Sequence, residues 1–289
     1  MIFIKGLKNP ESPVLLPNGE LLIVEMHENR GWIAKIIKNG KKKEVIAKTG
    51  RPNGLAVDKD SIIWVAESVN PPSLIRLNPE NKAKEYITNY KGQPFLFPND
   101  LCIGPDGAIY MTDSGISYRD WMKNKSRYKE LSINGCIYKI DKITKDIKKI
   151  DSGIKFANGI AFGPNNYLYV SETITGNIFR YKLSNGIIGK KEEFGNVLLK
   201  SELDVKEFRG PDGMAFDNNG NLFVAVCGLR NITILNKNGL LVKRLKILGK
   251  SPTNICFGPF GKRIIYITEQ ELGQVELYKV NVDGFNLFK

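Results

Sequence analysis

The chain of 289 residues has a single histidine, His27, and its four cysteines lie far apart in the sequence. One imidazole excludes a histidine-rich zinc site and leaves only His27 for a histidine-based catalytic triad. Cys102, Cys136, Cys227 and Cys256 form no CxxC pair, so we expect neither a zinc ribbon nor a disulfide framework.

Long apolar runs are also missing. No run approaches the roughly 18–20 residues that span a bilayer, and Met1 to Pro10 lack the apolar stretch of a secretory signal. We therefore expect a cytoplasmic protein without a membrane partner. The composition, with 42% hydrophobic and 25% charged residues, excludes a disordered chain and leads us to expect one domain over residues 1–289.

Acidic residues are fewer than basic ones, because 43 lysines and arginines against 30 aspartates and glutamates give a net charge of +13. Such a charge is compatible with a polyanionic partner. However, only Lys41, Lys42 and Lys43 form a run, and no aromatic-basic recognition module accompanies the charge. We therefore expect no nucleic-acid partner.

What the sequence does contain is a repeat. Six segments fit one template, and they start at intervals of 41 to 59 residues. Each reads as a short apolar strand, a turn rich in Gly, Pro, Asn and Asp, and a second apolar strand, followed by two further strand-like runs. The first aligned residue of each copy, called its anchor below, is in chain order Glu11, Asn53, Asn99, Asn158, Asp212 and Thr253.

Four antiparallel strands repeated six times, without long helical periodicity, predict an all-β fold that is a six-bladed β-propeller. Only three strands follow the last anchor, Thr253. We therefore expect Ile2 to Lys5 to supply the fourth strand of the last blade and to close the ring.

In a propeller the first strand of each copy lines the central channel, so we expect the anchors to form a ring at one of its mouths. Two carboxylates in that ring are hard to tolerate without a cation. Oxygen ligands favour a hard ion, Ca²⁺ first, with Mg²⁺ or Mn²⁺ as alternatives. The predicted metal ligands are Glu11, Asn99, Asn158 and Asp212. For Asn53 and Thr253, hydrogen bonding to the loop that enters the strand is an equal alternative.

Two further features belong to the anchor face. Acids that end the second strands, such as Glu25 and Glu172, are expected to bind backbone N–H groups of a turn. His27 lies just beyond Glu25 and is a weak candidate for substrate contact. An insertion of about 20 residues, 114–135, has the aromatic residues of a lid that stacks on a ligand, although packing of these aromatics on one another is an equal alternative.

Four motifs in order resemble those of the gluconolactonase and regucalcin (senescence marker protein) family and of the related diisopropylfluorophosphatase-type phosphotriesterases. The motifs are Glu11-Ser12-Pro13-Val14, Phe97-Pro98-Asn99-Asp100, Asn158-Gly159-Ile160-Ala161 with Tyr169-Val170-Ser171-Glu172, and Gly210-Pro211-Asp212-Gly213-Met214. The resemblance implies a six-bladed propeller with a catalytic divalent metal, usually calcium and in some members zinc or manganese. It places the ligands on the same four anchors, and Asp100 in an Asn-Asp pair that orients the site.

The chain departs from this pattern at Phe97, where some sugar-lactone hydrolases of the family carry a basic residue that contacts substrate. An apolar residue, Val226, also stands near the site where relatives often have a polar one. Both departures argue against polyhydroxylated aldonolactones as substrates.

We therefore expect a metal-dependent hydrolase of lactones, either a gluconolactonase-like sugar lactone or a related ester, in which the metal polarises the carbonyl group and a carboxylate activates water. Asp212 is the expected general base, with Glu11 as the alternative base and Asp100 as a second catalytic residue. The rival hypotheses are an organophosphate or phosphotriester hydrolase with the same site, and a non-enzymatic binding propeller similar to NHL-repeat modules. The candidate substrate contacts are Asn53, Phe97, Tyr118, Trp121 and His27.

Overall fold

The computed structural model describes residues 1–78, 80 and 82–285. Six four-stranded antiparallel sheets are arranged as the blades of a propeller, which confirms the predicted fold. The innermost strands of neighbouring blades contact one another around the whole ring. None of the helices in the described ranges is long and apolar enough to cross a membrane.

The elements of the first three blades follow the chain order. The chain begins with β1 (Ile2–Lys5). Blade 1 contains β2 (Pro10–Leu15), β3 (Leu21–Glu25), β4 (Trp32–Ile37) and β5 (Lys42–Lys48). Blade 2 contains β6 (Pro52–Val57), β7 (Ile63–Glu67), β8 (Ser73–Leu77) and β9 (Ala83–Ile87), and a hairpin of β10 (Asn89–Tyr90) and β11 (Gln93–Pro94) follows it. Blade 3 contains β12 (Pro98–Ile103), β13 (Ile109–Asp113), β14 (Gly135–Ile140) and β15 (Ile147–Ile154).

Short helices accompany the later part of the chain. Helix α1 (Tyr118–Asn124) and a 3₁₀ helix (Lys125–Glu130) lie between β13 and β14. Blade 4 contains β16 (Ala157–Gly163), a 3₁₀ turn (Pro164–Asn166), β17 (Tyr167–Glu172), β18 (Asn177–Ser184) and β19 (Ile187–Asn196). Helix α2 (Lys200–Leu203) precedes blade 5, which contains β20 (Gly210–Phe216), β21 (Leu222–Cys227), β22 (Asn231–Leu235) and β23 (Leu241–Lys246). Blade 6 contains β24 (Pro252–Phe257), β25 (Ile264–Glu269) and β26 (Gln274–Lys279).

The first strand closes the ring as predicted. Strand β1 pairs antiparallel with β26, with Ile4 opposite Val275 and Lys5 opposite Gln274. Blade 6 therefore takes three strands from one end of the described chain and its outermost strand from the other.

The core lies between the blades, so the central strands are buried on both faces. In β3, Leu22 and Val24 pack in the cluster shared with blade 2, whereas Leu21 and Ile23 pack in the cluster shared with blade 6. Successive side chains of a strand point to opposite faces, which is why the run is continuously apolar. Each such side chain, when fully buried, stabilises the fold by about 1.5–3 kcal/mol.

Each innermost strand is irregular where its anchor stands. In all six blades the pairing with the second strand shifts register at this point, for example between Glu11 and Val14 and between Pro98 and Leu101. A bulge of this kind re-aims the side chain of the bulged residue. The six bulges therefore place the anchors at one mouth of the channel.

Candidate metal centre

All six anchors line one cavity of about 280 Å³, called the mouth cavity below. A second cavity of about 880 Å³ occupies the rest of the channel and is lined mainly by apolar residues, among them Val14, Cys102, Ala161 and Cys256. Cys102 and Cys256 are free thiols in this apolar packing, as expected. The polar chemistry of the channel is therefore concentrated at the anchor end.

The side-chain amide of Asn99 is oriented by a hydroxyl. Asn99 Nδ2 donates to Ser114 Oγ at 2.8 Å, and Ser114 Oγ donates its own proton to the backbone carbonyl of Ala157 in blade 4 at 3.0 Å. Because the single hydroxyl proton is used for Ala157, Ser114 can only accept from Asn99. The Asn99 Oδ1 atom is therefore left to face the mouth cavity.

Asn158 is held in the same way one blade further on. Its Nδ2 donates to Thr173 Oγ1 at 3.0 Å, and Thr173 Oγ1 donates to the carbonyl of Pro211 at 2.9 Å. The backbone carbonyl of Asn158 is also fixed, because it accepts from Thr112 Oγ1 at 2.7 Å. Two amide oxygens are thus presented to the cavity by adjacent blades.

The carboxylates around the mouth cavity repel one another. The pKa of Glu11 is raised well above its ordinary value by burial and by the negative charges of Asp212 and Asp100. Burial and the charge of Asp100 raise the pKa of Asp212 in the same direction. In the described part of the chain, no lysine, arginine or histidine nitrogen lies within 4.0 Å of these oxygens. A bound cation would remove this repulsion, so the residues fit a metal ion.

The donor set is mixed. Across residues 1–78, 80 and 82–285, no group of three or more His, Cys, Asp or Glu side chains is arranged to hold a metal ion. The candidate centre instead combines the carboxylates of Glu11 and Asp212 with the amide oxygens of Asn99 and Asn158. Oxygen ligands of this kind suit a hard divalent cation such as Ca²⁺.

Asp100 lies below the anchors and not in the mouth cavity. Its Oδ1 accepts from Leu101 N at 2.8 Å, and burial raises its pKa to about 7. Asn254, from the blade opposite, donates to Asp100 Oδ2 at 3.4 Å and to Glu11 Oε2 at 3.2 Å. Asn254 thus links the Asp100 carboxylate to that of Glu11, and the catalytic role of Asp100 stays a prediction.

Gly213 makes room for this bridge. A Cβ atom at Gly213 would lie 1.9 Å from Asn254 Cγ, so only glycine allows the Asn254 side chain to cross the channel here.

Asn53 and Thr253 line the cavity but differ from the other anchors. The hydroxyl of Thr253 lies 2.9 Å from the carbonyl of Pro10 in blade 1 and 2.8 Å from Thr268 Oγ1, so it links blades 6 and 1 and does not bind the loop that enters its own strand. The hydroxyl that would hold Asn53, Ser68 Oγ, accepts instead from Arg51 Nη1 at 3.2 Å.

Acids at the ends of second strands bind backbone N–H groups of the turn that follows, as predicted: Asp113 accepts from Gly115 N at 2.9 Å and Glu67 from Val69 N at 3.1 Å. They also bind the loops that precede the innermost strands. Glu25 accepts from Lys8 N at 2.7 Å, Glu172 from Lys155 N at 2.6 Å, and Asp113 from Leu96 N at 2.8 Å. These acids therefore fix the loops that lead into the innermost strands.

The insertion 114–135 covers the mouth cavity. Tyr118 and Trp121 of α1 line it, and Trp121 packs on Phe156 with ring centroids 4.4 Å apart. Tyr118 packs edge-on against Phe97 at 5.7 Å. The aromatics thus pack on one another and also form a wall of the cavity, and the stacking of this wall on a ligand stays a prediction.

His27 is not among the residues that line the mouth cavity. Its Nδ1 accepts from Asn29 N at 3.2 Å within the turn that follows β3. The other four candidate substrate contacts, Asn53, Phe97, Tyr118 and Trp121, are all brought to the cavity.

The sequence analysis missed several lining residues, above all Arg51 and Lys125. Arg51 and Lys125 have no signal in the repeat, but other missed residues do. They stand once in every copy of the repeat, directly after the second-strand acid or, in the fifth copy, after Val226. Three of these residues, Ser68, Ser114 and Thr173, carry hydroxyls that donate to the next blade. The other three line the cavity directly and are Met26, Cys227 and Gln270.

The sequence pattern that describes the SMP-30/gluconolactonase/LRE-like region matches residues 9–271. The chain belongs to this family. A gluconolactonase of Zymomonas mobilis is 31% identical over 225 residues, which are 73% of this chain and 59% of the relative. The adipocyte plasma membrane-associated protein of Gallus gallus is 28% identical over 61% of this chain and 41% of the relative. The chain thus spans between 41% and 59% of the length of these two family relatives.

Solved structures of similar proteins share the propeller. The calcium-binding protein regucalcin of Agrobacterium tumefaciens superposes with a TM-score of 0.77 over 99% of this chain and 97% of that chain, at 19% identity. At this identity the superposition establishes the fold that the two proteins have in common.

Proposed function

We propose that this family member is a divalent-metal-dependent hydrolase of a small lactone or related ester, with Ca²⁺ as the preferred ion. One observation carries the proposal: two carboxylates and two oriented amide oxygens converge on a single cavity with an aromatic wall. Membership of a family that includes a gluconolactonase supports a lactone as the substrate. A cytoplasmic location stays a prediction.

Glu11, Asn99, Asn158 and Asp212 would hold the ion. The bound cation supplies Lewis acidity that draws electron density from a carbonyl oxygen and stabilises the developing oxyanion. The hydroxyl partners hold the amide nitrogens of Asn99 and Asn158, which leaves the two amide oxygens available to the ion.

Asp212 is the better candidate for the general base. It is the most accessible of the four proposed ligands, whereas Glu11 is only 5% exposed and accepts a hydrogen bond from Asn254. Asp212 would take a proton from the attacking water on the cavity side. Phe97, Phe156 and Trp121 exclude bulk water from the same space.

The test is Asp212→Asn, with Asp146→Asn as a control at an exposed site outside the cavity. We expect the first substitution to lower lactone hydrolysis by about 10²–10⁴-fold and to leave the circular dichroism spectrum unchanged, while the control retains full activity. Near-full activity of the Asp212 variant would contradict the proposed role of this residue.

A panel of small lactones and phosphotriesters, assayed with Ca²⁺, Mn²⁺, Mg²⁺ and Zn²⁺, tests the reaction class. We expect lactone turnover that a chelator abolishes. Faster turnover of phosphotriesters would support the alternative hydrolase, and no turnover under any of these conditions would rule out both.

A further inference from the structure

A buried guanidinium group lines the mouth cavity without a carboxylate partner. Arg51 stands two residues before the anchor Asn53 and is only 8% exposed. Within the described ranges, no carboxylate oxygen lies within 4.0 Å of its guanidinium nitrogens. Arginine is rarely this deeply buried unless it is paired, so its charge calls for an anionic partner, which none of the described residues provides.

Side chains of the protein accept hydrogen bonds from only part of the Arg51 guanidinium. Arg51 Nη1 donates to Ser68 Oγ at 3.2 Å and Nη2 is 3.5 Å from Met26 Sδ, which engages two of the five N–H groups of the guanidinium. Burial lowers the pKa of Arg51, and the Tyr118 hydroxyl and the charges of Glu67 and Glu28 only partly offset this effect. Glu67 is itself occupied, because it accepts hydrogen bonds from Gly50 N and Val69 N at 3.1 Å.

Aromatic rings fix the position of Arg51. Its guanidinium carbon lies 4.0 Å from the centroid of the Tyr118 ring and 5.4 Å from that of Phe97. Stacking of this kind holds the planar group while its edge stays available to a ligand. Arg51 also brings a basic group to the wall formed by Phe97, the position at which this chain lacks the basic residue of some relatives.

A second cation lines the same cavity. Lys125 follows α1, and its Nζ lies 4.8 Å from the centroid of the Phe208 ring. It too has no carboxylate oxygen within 4.0 Å in the described part of the chain. A divalent ion would balance the charges of Glu11 and Asp212. The charge of Lys125, which acts on Asp212, can be set against the third carboxylate, Asp100, so the positive charge of Arg51 would be left over.

We infer that the substrate of the proposed hydrolase is an anion: a lactone or ester that carries a carboxylate or phosphate group, which Arg51 binds while the acyl carbonyl lies at the metal centre. This inference rests on the proposed function. The cavity of about 280 Å³ restricts the substrate to a small molecule, since ligand pockets usually measure about 300–1,000 Å³. The net charge of +13 attracts anions to the protein as a whole.

The experiment compares matched substrates: a small lactone with a carboxylate, the same lactone with a carboxamide, and its phosphate-bearing counterpart. For the wild-type protein we expect kcat/KM to be about 10–100-fold higher with a charged lactone than with the carboxamide, the range that a hydrogen bond to a charged group provides. The better of the two charged lactones identifies the anionic group.

The variant is Arg51→Met, which keeps the apolar stem and removes the charge, and Arg51→Lys restores the charge without the planar fork. We expect the charged-to-neutral ratio to fall to near 1 in Arg51→Met, mainly through KM, and to recover in part in Arg51→Lys. Lys123→Met removes an exposed charge from the same helix, α1, and serves as the control that keeps the wild-type ratio.

The outcomes separate the two proposals. A wild-type protein that hydrolyses the carboxamide as fast as the charged lactones overturns the anionic substrate and leaves the hydrolase intact. If nothing is hydrolysed, the proposed function fails, and calorimetric titration with succinate and with inorganic phosphate tests the anion site alone. Binding by the wild type that weakens at least about 10-fold in Arg51→Met supports the site, and no binding by the wild type overturns it.

Discussion

Blades 3 and 4 use one device to present an amide oxygen to the mouth cavity. In each, a hydroxyl accepts from the anchor amide and donates to a backbone carbonyl of the next blade; the pairs are Asn99 with Ser114 and Asn158 with Thr173. The hydrogen bond that joins the blades therefore also decides which end of the amide faces the cavity.

Blade 2 has the same two residue types but uses them differently. Ser68 donates to the carbonyl of Pro98 in blade 3 at 3.2 Å, as its counterparts do in their blades. However, it accepts from Arg51 and not from Asn53. The comparison teaches that the amide of an asparagine anchor is oriented by a hydroxyl only where that hydroxyl is available to it, and in blade 2 the hydroxyl binds the Arg51 guanidinium instead.

The largest effect is expected from a comparison of Asn158, whose amide is oriented by a hydroxyl, with Asn53, whose amide is not. Asn158→Ala removes an oriented amide oxygen, so we expect Ca²⁺ affinity, measured by calorimetric titration, to fall by at least about 100-fold, more than the loss typical of a residue that only supports a ligand. Asn53→Ala, the matched change in blade 2, should alter Ca²⁺ affinity by less than about 3-fold. Equal losses in the two variants would show that blade 2 also supplies a ligand.

A smaller effect is expected when the hydroxyls are removed. Ser114→Ala leaves the amide of Asn99 free to rotate, so Ca²⁺ affinity should fall by about 10–100-fold. Ser68→Ala breaks the equivalent bond between blades but touches no proposed ligand, so it should leave Ca²⁺ affinity unchanged. Both variants leave a buried carbonyl unpaired, so urea unfolding should show a similar loss of about 1–3 kcal/mol in each. A similar loss of Ca²⁺ affinity in Ser114→Ala and Ser68→Ala would show that the hydroxyls only join the blades and do not orient a ligand.

The fold was predictable because its information is local and repeated. Apolar strands and Gly/Asn/Asp turns recur in six copies, and the shortage of one strand after Thr253 already assigned Ile2 to Lys5 to the last blade. The proposed ligands were predictable for a related reason, since the repeat brings all anchors to one ring and their chemistry differs visibly from copy to copy.

The remaining features depend on contacts that no single copy contains. Arg51 is held by Met26 of blade 1 and by Tyr118 of the insertion, and neither contact follows from sequence spacing. Asp100 follows an anchor directly, yet the bulge and the strand turn its carboxylate towards Asn254 on the far side of the anchor ring. Residues that lie next to each other in the sequence can therefore face different cavities.

The smallest expected effect concerns the opposite face of the junction between blades 2 and 3. Asp58 in the turn after β6 pairs with Lys142 of blade 3 at 2.8 Å and accepts from Trp64 Nε1 at 3.1 Å. Burial alone raises the pKa of Asp58, but these hydrogen bonds outweigh it and the net pKa lies below its ordinary value of 3.8. Since the pKa is lower in the folded state, the carboxylate stabilises the fold above about pH 4 and loses this effect as the pH falls through the folded-state value.

Asp58→Asn should therefore lower the free energy of unfolding by about 1 kcal/mol at pH 7, because asparagine keeps an oxygen for Trp64 Nε1 and the Lys142 side chain, which is 17% exposed, can still be solvated. The difference from the wild type should shrink at pH 3, and urea unfolding at the two pH values measures it. A difference that is the same at both would assign the loss to packing around Trp64. Ca²⁺ affinity should not change in this variant, because Asp58 does not line the mouth cavity. The Asp58–Lys142 pair would then stabilise the contact between blades 2 and 3 without affecting the side chains at the mouth.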